Sequence, residues 1–261
     1  MRRSRLRTAI AVAALAALHP ACGGGGAGGG LFGGGIGGTG IVKVAQGPIT
    51  AFGSIFVGGV EYETGTAQVT INGTPASEAE LREGMRVDVR GTQTVSGATT
   101  AVAGTVAFRS DVGGPVQSVN VAASSLVVMG QTVQVDGLTV FDGTTLATVA
   151  VGNIVEASGP RSAAGVIRAS RVELKSAAFV PGATRLRVRG TVAGVNLAAQ
   201  TFTIGALTVR YAGAMLQDLP GGAPANGIFV EVATSQNLVG GALIAATVEG
   251  EATGLGLADG E

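Results

Sequence analysis

The chain has 261 residues, of which 46% are apolar and only 13% are charged, with 17 acidic and 17 basic side chains. Its single Cys excludes an intramolecular disulfide and a cysteine-rich zinc site. A formal net charge of zero argues against an extended nucleic-acid-binding surface, which needs an excess of Lys and Arg, so we expect no nucleic-acid partner.

The N-terminal segment 1–22 has the features of a bacterial export signal. Four arginines near the start are followed by the apolar stretch Ala9–Leu18. As a helix this stretch spans about 15 Å, roughly half of a bilayer core, which is typical of a signal peptide and too short for a membrane-spanning helix. Cys22 follows directly and is preceded by the small residue Ala21, which resembles the cleavage site of a bacterial lipoprotein. We therefore predict that residues 1–22 are a signal peptide with lipidation at Cys22; a secretory signal cleaved near Ala21 is the alternative.

The next segment, residues 23–40, predicts a flexible tether. Glycine occupies 13 of its 18 positions, and such a segment loses much backbone entropy on ordering and has few side chains to bury. As a flexible coil it would reach about 20–25 Å. Gly23 directly after Cys22 resembles signals that sort lipoproteins to an outer membrane. We therefore expect an exported protein that is lipid-anchored in the cell outer membrane, facing either the periplasm or the cell surface.

Residues 41–250 contain three copies of one sequence module. Three landmarks recur in the same order, and the offset between neighbouring copies is nearly the same for all three landmarks. The first landmark is found at Gly47-Pro48-Ile49, Gly114-Pro115-Val116 and Gly190-Thr191-Val192; the second begins at Gly84, Gly152 and Gly227; the third ends at Val106, Val172 and Val248. Unrelated segments would not keep three landmarks in register. We therefore predict β modules at residues 41–109 (module 1), 110–176 (module 2) and 183–250 (module 3), followed by a C-terminal tail at 251–261.

Each module has the pattern of short β-strands. Apolar and polar residues alternate, and Asn72-Gly73 and Asp136-Gly137 are typical of turns because these residue types tolerate a positive φ. One helical segment is predicted at Ser77–Glu83, where Ser77 and Glu80 have the spacing of a capping box. Five short strands with a brief helix before the fourth are typical of a small, partly open barrel. The expected fold class is all-β, with tandem small OB-like β-barrel modules after a disordered Gly-rich tether.

Module 1 also resembles a known family. The similarity lies in the glycine tract that begins at Cys22, in the segment 47–60, which reads GPITAFGSIFVGGV, and in Leu81–Met85. Together these segments resemble the DUF5666 family of bacterial exported repeat proteins, and the resemblance is weaker in modules 2 and 3. It implies export and repeated β modules, but it carries no established activity and no catalytic residues.

The mature chain lacks the side chains of common catalytic sites. Signal removal would take away His19, the single histidine, so no histidine base would remain for a nucleophile, and Lys43 and Lys175 are not in a Ser-x-x-Lys spacing. Zinc would have no histidine ligand, and Asp136 and Asp142 lie in Asp-Gly turns without the alternating acids of a calcium loop. We therefore expect no enzyme activity, no catalytic residue, no metal site and no cofactor.

The most suggestive surface pattern is a row of arginines. Arg185, Arg187 and Arg189 alternate with Leu186 and Val188 and so lie on one face of a predicted strand. They are candidate ligands for the phosphate or carboxylate groups of a polyanion such as lipopolysaccharide. A solvated edge strand, whose charges discourage aggregation, is the alternative.

Two other patterns are open to a binding role. Glu61 and Glu63 share a strand face and could form a glycosidase pair, but a solvated face is favoured because the chain has no Trp to stack on a sugar. Phe52 and Phe56 are candidates for a glycan-binding face. The sequence therefore predicts a non-catalytic exported lipoprotein with a structural or binding role in the cell envelope. Its expected partners are the membrane and an envelope polysaccharide or protein. An OB-like module that binds glycan or polyanion is the alternative, and a carboxylate-based enzyme is the remote one.

Overall fold

The computed structural model describes residues 41–251. The predicted signal peptide, Cys22, the tether and the last ten residues lie outside the described residues. The predicted all-β class is confirmed: residues 41–251 form short strands, joined by turns and by two single-turn 3-10 helices, Glu78–Glu80 and Pro220–Gly222. Within this range no helix is long and apolar enough to cross a membrane.

The strands of module 1 form a ring of pairings. β1 is antiparallel to β6, β6 to β7, and β2 to β3, whereas β3 and β4 are parallel to β7. β4 and β5 form a hairpin. An antiparallel bridge between Ile49 and Val57 joins the end of β1 to β2 and completes the ring. The strands are β1 Ile41–Pro48, β2 Ile55–Val57, β3 Val60–Glu63, β4 Gln68–Ile71, β5 Thr74–Ala76, β6 Arg86–Gln93 and β7 Thr100–Phe108.

Module 2 repeats this order. β8 is antiparallel to β12 and to β9, β9 to β10, and β12 to β14, whereas β10 is parallel to β13 and β11 to β14. β13 and β14 together correspond to β7. The strands are β8 Val112–Asn120, β9 Ser125–Val128, β10 Gln131–Gln134, β11 Val140–Asp142, β12 Ile154–Ser158, β13 Ile167–Arg168 and β14 Arg171–Ser176.

Module 3 has the same order again. β15 is antiparallel to β20, β16 to β17, β17 to β18 and β20 to β22, whereas β18 is parallel to β21 and β19 to β22. The strands are β15 Leu186–Thr191, β16 Ala193–Asn196, β17 Thr201–Ile204, β18 Leu207–Arg210, β19 Met215–Gln217, β20 Phe229–Thr234, β21 Leu243–Ile244 and β22 Thr247–Gly250. One connectivity therefore occurs three times along residues 41–250.

The apolar side chains form two cores. Module 1 has its own core, which includes the fully buried Tyr62 and Phe108. Modules 2 and 3 share one continuous core that runs from Val112 to Val248. β8 and β15 also pair with each other, which joins the strands of both modules into one 11-stranded sheet. Modules 2 and 3 are therefore fused through both core and sheet.

The predicted helix Ser77–Glu83 is wrong in its length. Only the single 3-10 turn Glu78–Glu80 forms, because Leu81 is already extended and turns its side chain into the core. The capping interaction is present: the Ser77 N–H donates to the Glu80 carboxylate at 2.7 Å. A cap cannot compensate for the cost of nucleating so short a helix when the next residue is needed in the core.

Candidate functional site

The predicted arginine row lies on β15. Arg187 and Arg189 alternate there with the buried Leu186 and Val188, as predicted. The strand is not an edge, because it pairs with β20 on one side and β8 on the other, so the edge-strand alternative is wrong. Arg187 is only 5% exposed, Arg189 is half-buried, and the flanking Arg185 is exposed. The row therefore runs from solvent into the protein.

Both inner arginines are neutralised by carboxylates of module 3 or its C-terminal end. The Arg187 Nε lies 3.2 Å from the Glu231 Oε1 on the neighbouring strand β20. The Arg189 Nε donates to the two Glu251 carboxylate oxygens at 2.9 and 3.1 Å, and its guanidinium lies 5.6 Å from the ring centre of Phe229. These arginines are held by the fold itself.

A second charged group joins modules 2 and 3. The Asp111 carboxylate lies 3.5 Å from the Arg161 Nε and accepts the Gly159 N–H at 3.0 Å. Arg161 also donates to the carbonyls of Asp111 and Arg189, and the Arg189 N–H donates to the Asp111 carbonyl at 2.9 Å. These bonds cross from the loop after β12 to β15, so the cluster stabilises the contact between the two modules.

Polar contacts of Asn72 link module 1 to Glu156 of module 2 and to Arg187 of module 3. The Asn72 Nδ2 donates to the Glu156 Oε1 at 2.5 Å, and the Asn72 Oδ1 accepts the Ser110 N–H at 2.9 Å. Arg187 donates to the Asn72 carbonyl at 3.3 Å. Asn72 can present both groups because it has a positive φ of 54° in the predicted Asn72-Gly73 turn.

Burial and pairing act in opposite directions on the carboxylates. Burial raises the pKa of Asp111 and of Glu231, although Arg161 and Arg187 partly counter it. Burial also tends to raise the pKa of Glu251, but the hydrogen bonds and charge of Arg189 outweigh it, and the pKa is lowered. Burial lowers the pKa of Arg161 and of Arg187. The two groups of ion pairs therefore respond differently to acid.

Arg185 and Arg187 border a cavity of about 420 Å³. Its wall also includes the Lys175 side chain and the carboxylate residue Glu156, and Thr184 contributes a hydroxyl residue. The Arg187 Nη1 is buried without a hydrogen-bond partner among the described residues. Ile154 and Val180 supply apolar surface to the same wall.

Two other cavities have linings that favour no single class of ligand. One of about 670 Å³ has mixed charge, with Arg109 and Arg189 beside Glu249 and Glu251. The Arg109 Nη1 lies 3.0 Å from the Glu251 Oε1, so part of this charge is already neutralised. Another of about 550 Å³ lies beside Arg161 and is lined largely by Gly and Ala. Neither brings together groups that favour one class of ligand.

The other residues that the sequence analysis singled out do not lie together in one site. Phe52 is exposed and borders a shallow, open depression at one end of module 1. Phe56 is partly buried on β2, and Glu61 lies opposite it on β3, with Glu63 on the same face. Within residues 41–251 no group of three or more His, Cys, Asp or Glu side chains could hold a metal ion. Cys22 lies outside the described residues.

Sequence reasoning missed Asp111, Arg161, Glu231 and Glu251. Each is an ordinary charged residue in the sequence. Glu231 has a carboxylate at its equivalent position in both other modules, Glu156 and Asp88, whereas the copies differ at the other three positions. Asp111, for instance, aligns with Arg187 when Gly114 of module 2 is aligned with Gly190 of module 3. For Asp111, Arg161 and Glu251 the signal was therefore a departure from the repeat, and the partner of each charge is set by the packing of the modules.

The comparisons with known proteins agree with the repeat. The family described as Domain of unknown function (DUF5666) matches residues 46–103 and residues 113–173. These stretches lie in modules 1 and 2; module 3 is not matched, although its strands pair in the same order. A search of curated proteins gave no match.

Proposed function

Because the chain carries two DUF5666 domains in tandem, we propose that it is a non-catalytic, exported lipoprotein with a structural role in the cell envelope. Lipidation at Cys22 would fix it to the outer membrane, and residues 23–40 would hold the β modules away from the bilayer. The observation that carries the structural role is the internal use of charge: Arg161, Arg187 and Arg189 are all paired with carboxylates of the same chain.

We further propose that each module is a small OB-like barrel. In module 1 the ring runs from β1 through β2, β3, β7 and β6 back to β1, with β3 and β7 parallel. Such a ring of five strands supports the proposal, because an OB fold is a five-stranded, partly open barrel. The single 3-10 turn between β5 and β6 occupies the position of the helix expected before the fourth barrel strand.

The anchoring half of the proposal has a direct test. Cells producing the wild type, Cys22→Ser or Gly26→Ser are labelled with a radioactive fatty acid and fractionated on a density gradient. We expect Cys22→Ser to lose the label and leave the outer-membrane fraction. Gly26→Ser introduces the same side chain into the glycine tract and should retain both. Unchanged labelling of Cys22→Ser would refute lipidation at this residue.

The anion-binding alternative is favoured by one observation, the cavity that is bordered by the exposed Arg185, by Arg187 and by Lys175, whose Nζ lies 2.8 Å from the Glu173 carboxylate. We would measure binding of lipopolysaccharide, and of inorganic phosphate as the minimal probe, to the Cys22→Ser chain. If the cavity binds anions, Arg185→Gln should weaken binding several-fold and added salt should weaken it further, because charge pairing is screened. Arg168→Gln, at an exposed arginine on β13, is the matched control and should bind as the wild type does.

A further inference from the structure

Modules 2 and 3 contact each other through equivalent residues. The shift along the chain that relates Gly114 to Gly190 also relates Val112 to Val188. These two valines lie directly opposite each other where β8 and β15 pair antiparallel. An antiparallel contact between two copies of one position is the contact of a two-fold symmetric interface.

A second contact obeys the same symmetry. The hairpins β9–β10 and β17–β18 turn at residues 129–130 and 205–206. The Ala206 N–H donates at 3.1 Å to the carbonyl of Gly130, which is its equivalent in module 2. A Cβ on Gly130 would lie 2.5 Å from the backbone nitrogen of Leu207, so the turns are in close contact. Modules 2 and 3 therefore pack as two copies of one unit around a pseudo-two-fold axis.

Module 1 has the same first strand, and over Ile41–Gln46 the outer edge of this strand is unpaired among residues 41–251. Ile49, the equivalent of Val116, bonds on the β6 side: its N–H donates to Met85 and its carbonyl accepts from Gly84. Because alternate residues of an antiparallel strand point to opposite sides, the backbone groups of Val44 and Gln46 point away from β6. Their equivalents in module 2 are Asp111 and Gly113. The Asp111 carbonyl accepts from Arg189 of β15, although its N–H donates to Ala157 of β12, and Gly113 pairs with Arg187 of β15. Among residues 41–251 the pairing on this edge of β1 is limited to the bridge between Ile49 and Val57 of β2, so no strand lies beside Ile41–Gln46 there.

The other parts of the interface are also uncovered in module 1. Ala45 is the equivalent of Val112 and Val188; both valines are completely buried, whereas Ala45 is partly exposed at the margin of the module 1 core. A Cβ on Gly58 or Gly59 would meet no atom within 4 Å, so the turn of the β2–β3 hairpin is open. The edge carries no proline before Pro48 to prevent pairing with another strand.

We propose that module 1 binds module 1 of a second copy of the chain, with the two β1 strands antiparallel about a two-fold axis at Ala45. In this register Val44 lies opposite Gln46 of the second copy, and the two Gly58-Gly59 turns face each other. The partner is a second copy because the module 2–3 interface is self-complementary: the strand that fits this edge is the same strand. The chain then forms a homodimer that repeats, between chains, the contact already present within one.

The first test is the mass of the full chain, carrying Cys22→Ser, by sedimentation over a wide concentration series. We expect a reversible dimer, and we expect Val44→Pro to halve the mass at the same concentration. Val44 is chosen because its N–H points away from β6, so proline should leave the barrel intact, which circular dichroism will check. A chain that is monomeric throughout, or a folded Val44→Pro variant that dimerises as well as the wild type, would overturn the proposal.

The second test is cross-linking. Opposed Ala45 residues would form a non-hydrogen-bonded pair with Cα atoms about 4.5 Å apart, within the range of a disulfide. In the Cys22→Ser chain, Ala45→Cys should therefore form a disulfide-linked dimer under mild oxidation. Gln46→Cys is the control, because its equivalent in the second copy is not opposite it, and it should link far less. Equal linking of the two variants would contradict the register. Binding of the β1 edge by residues 1–40 of the same chain would contradict the dimer itself.

Discussion

The contact between modules 2 and 3 and the contact between module 1 and module 2 are built differently. Modules 2 and 3 share a sheet and a core, with Val112 and Val188 paired and completely buried. Module 1 keeps its own core and meets module 2 mainly through polar groups, such as Asn72 with Glu156 and the Ser170 hydroxyl with the Gly84 carbonyl at 2.7 Å. Apolar burial is non-directional and large, whereas a polar contact adds only a modest net stability.

This difference shows that the surface residues of a repeated module can change while its strand order is retained. All three modules retain one strand order, but the surface around the first strand carries valine and arginine in module 3, valine and aspartate in module 2, and alanine and valine in module 1. The two modules that carry valine at the equivalent positions 112 and 188 are the two that fuse. We therefore expect modules 2 and 3 to unfold together and module 1 to unfold separately.

The largest effect is expected from placing a charge in one core. Val188→Asp and Val87→Asp each bury a carboxylate at a position that is completely buried, in the shared core and in the module 1 core respectively. Each should cost more than about 4 kcal/mol of unfolding free energy. Hydrogen exchange should show loss of protection in residues 110–250 for Val188→Asp, and in residues 41–108 for Val87→Asp. Loss of protection along the whole chain in both variants would show that the cores are not separate.

The next effect concerns the buried ion pair on β15. Glu231→Ala leaves the buried Arg187 without its carboxylate, which should cost about 3–5 kcal/mol in chemical denaturation. Glu173→Ala is the matched control: Arg171 keeps Asp142, and Lys175 is half exposed, so the cost should be below about 1 kcal/mol. If both variants lose the same stability, the buried pair has no special role.

The sequence predicted the repeated unit better than the contacts between units. Strand alternation, the Asn72-Gly73 turn and the threefold repeat depend on local rules, and the structure bears out the all-β class. The fusion of modules 2 and 3 depends on β8 and β15, which lie far apart in the chain and pair through Gly113 with Arg187 and Val112 with Val188. No local pattern encodes such a pairing. The burial of Arg187 and Arg189 follows from that fusion, so their row predicted a strand face correctly but not its surroundings.

A smaller effect is expected at the polar contact of module 1. Asn72→Gly keeps the positive φ without strain but removes the side chain that bonds Glu156 and Ser110. We expect a loss of about 1–3 kcal/mol, because the buried Ser110 N–H and the partly buried Glu156 carboxylate each lose a hydrogen-bond partner. Ser124→Gly, also at a positive φ in a turn of module 2, is the control and should be neutral or slightly stabilising. A cost no greater than that of the control would mean that this contact adds nothing to stability.

The smallest expected effect is on the pH dependence of the unfolding free energy, to which Glu251 and Asp111 contribute with opposite signs. The pKa of Glu251 is lowered from its ordinary value of 4.5 by Arg189 and Arg109 despite its burial. A carboxylate with a lowered pKa in the folded state contributes stability that is present above its unfolded pKa and is lost as the pH falls through the folded pKa. The pKa of Asp111 is raised by burial, so its contribution has the opposite sign and is lost as the pH rises.

We therefore expect Glu251→Gln to destabilise the chain by roughly 1 kcal/mol at pH 7 and by much less near pH 3. The unfolding free energy measured at both pH values tests this, with Glu249→Gln on the same strand end as the control. A Glu251→Gln cost that stays constant with pH would show that the Arg189 pair does not set the titration of this carboxylate.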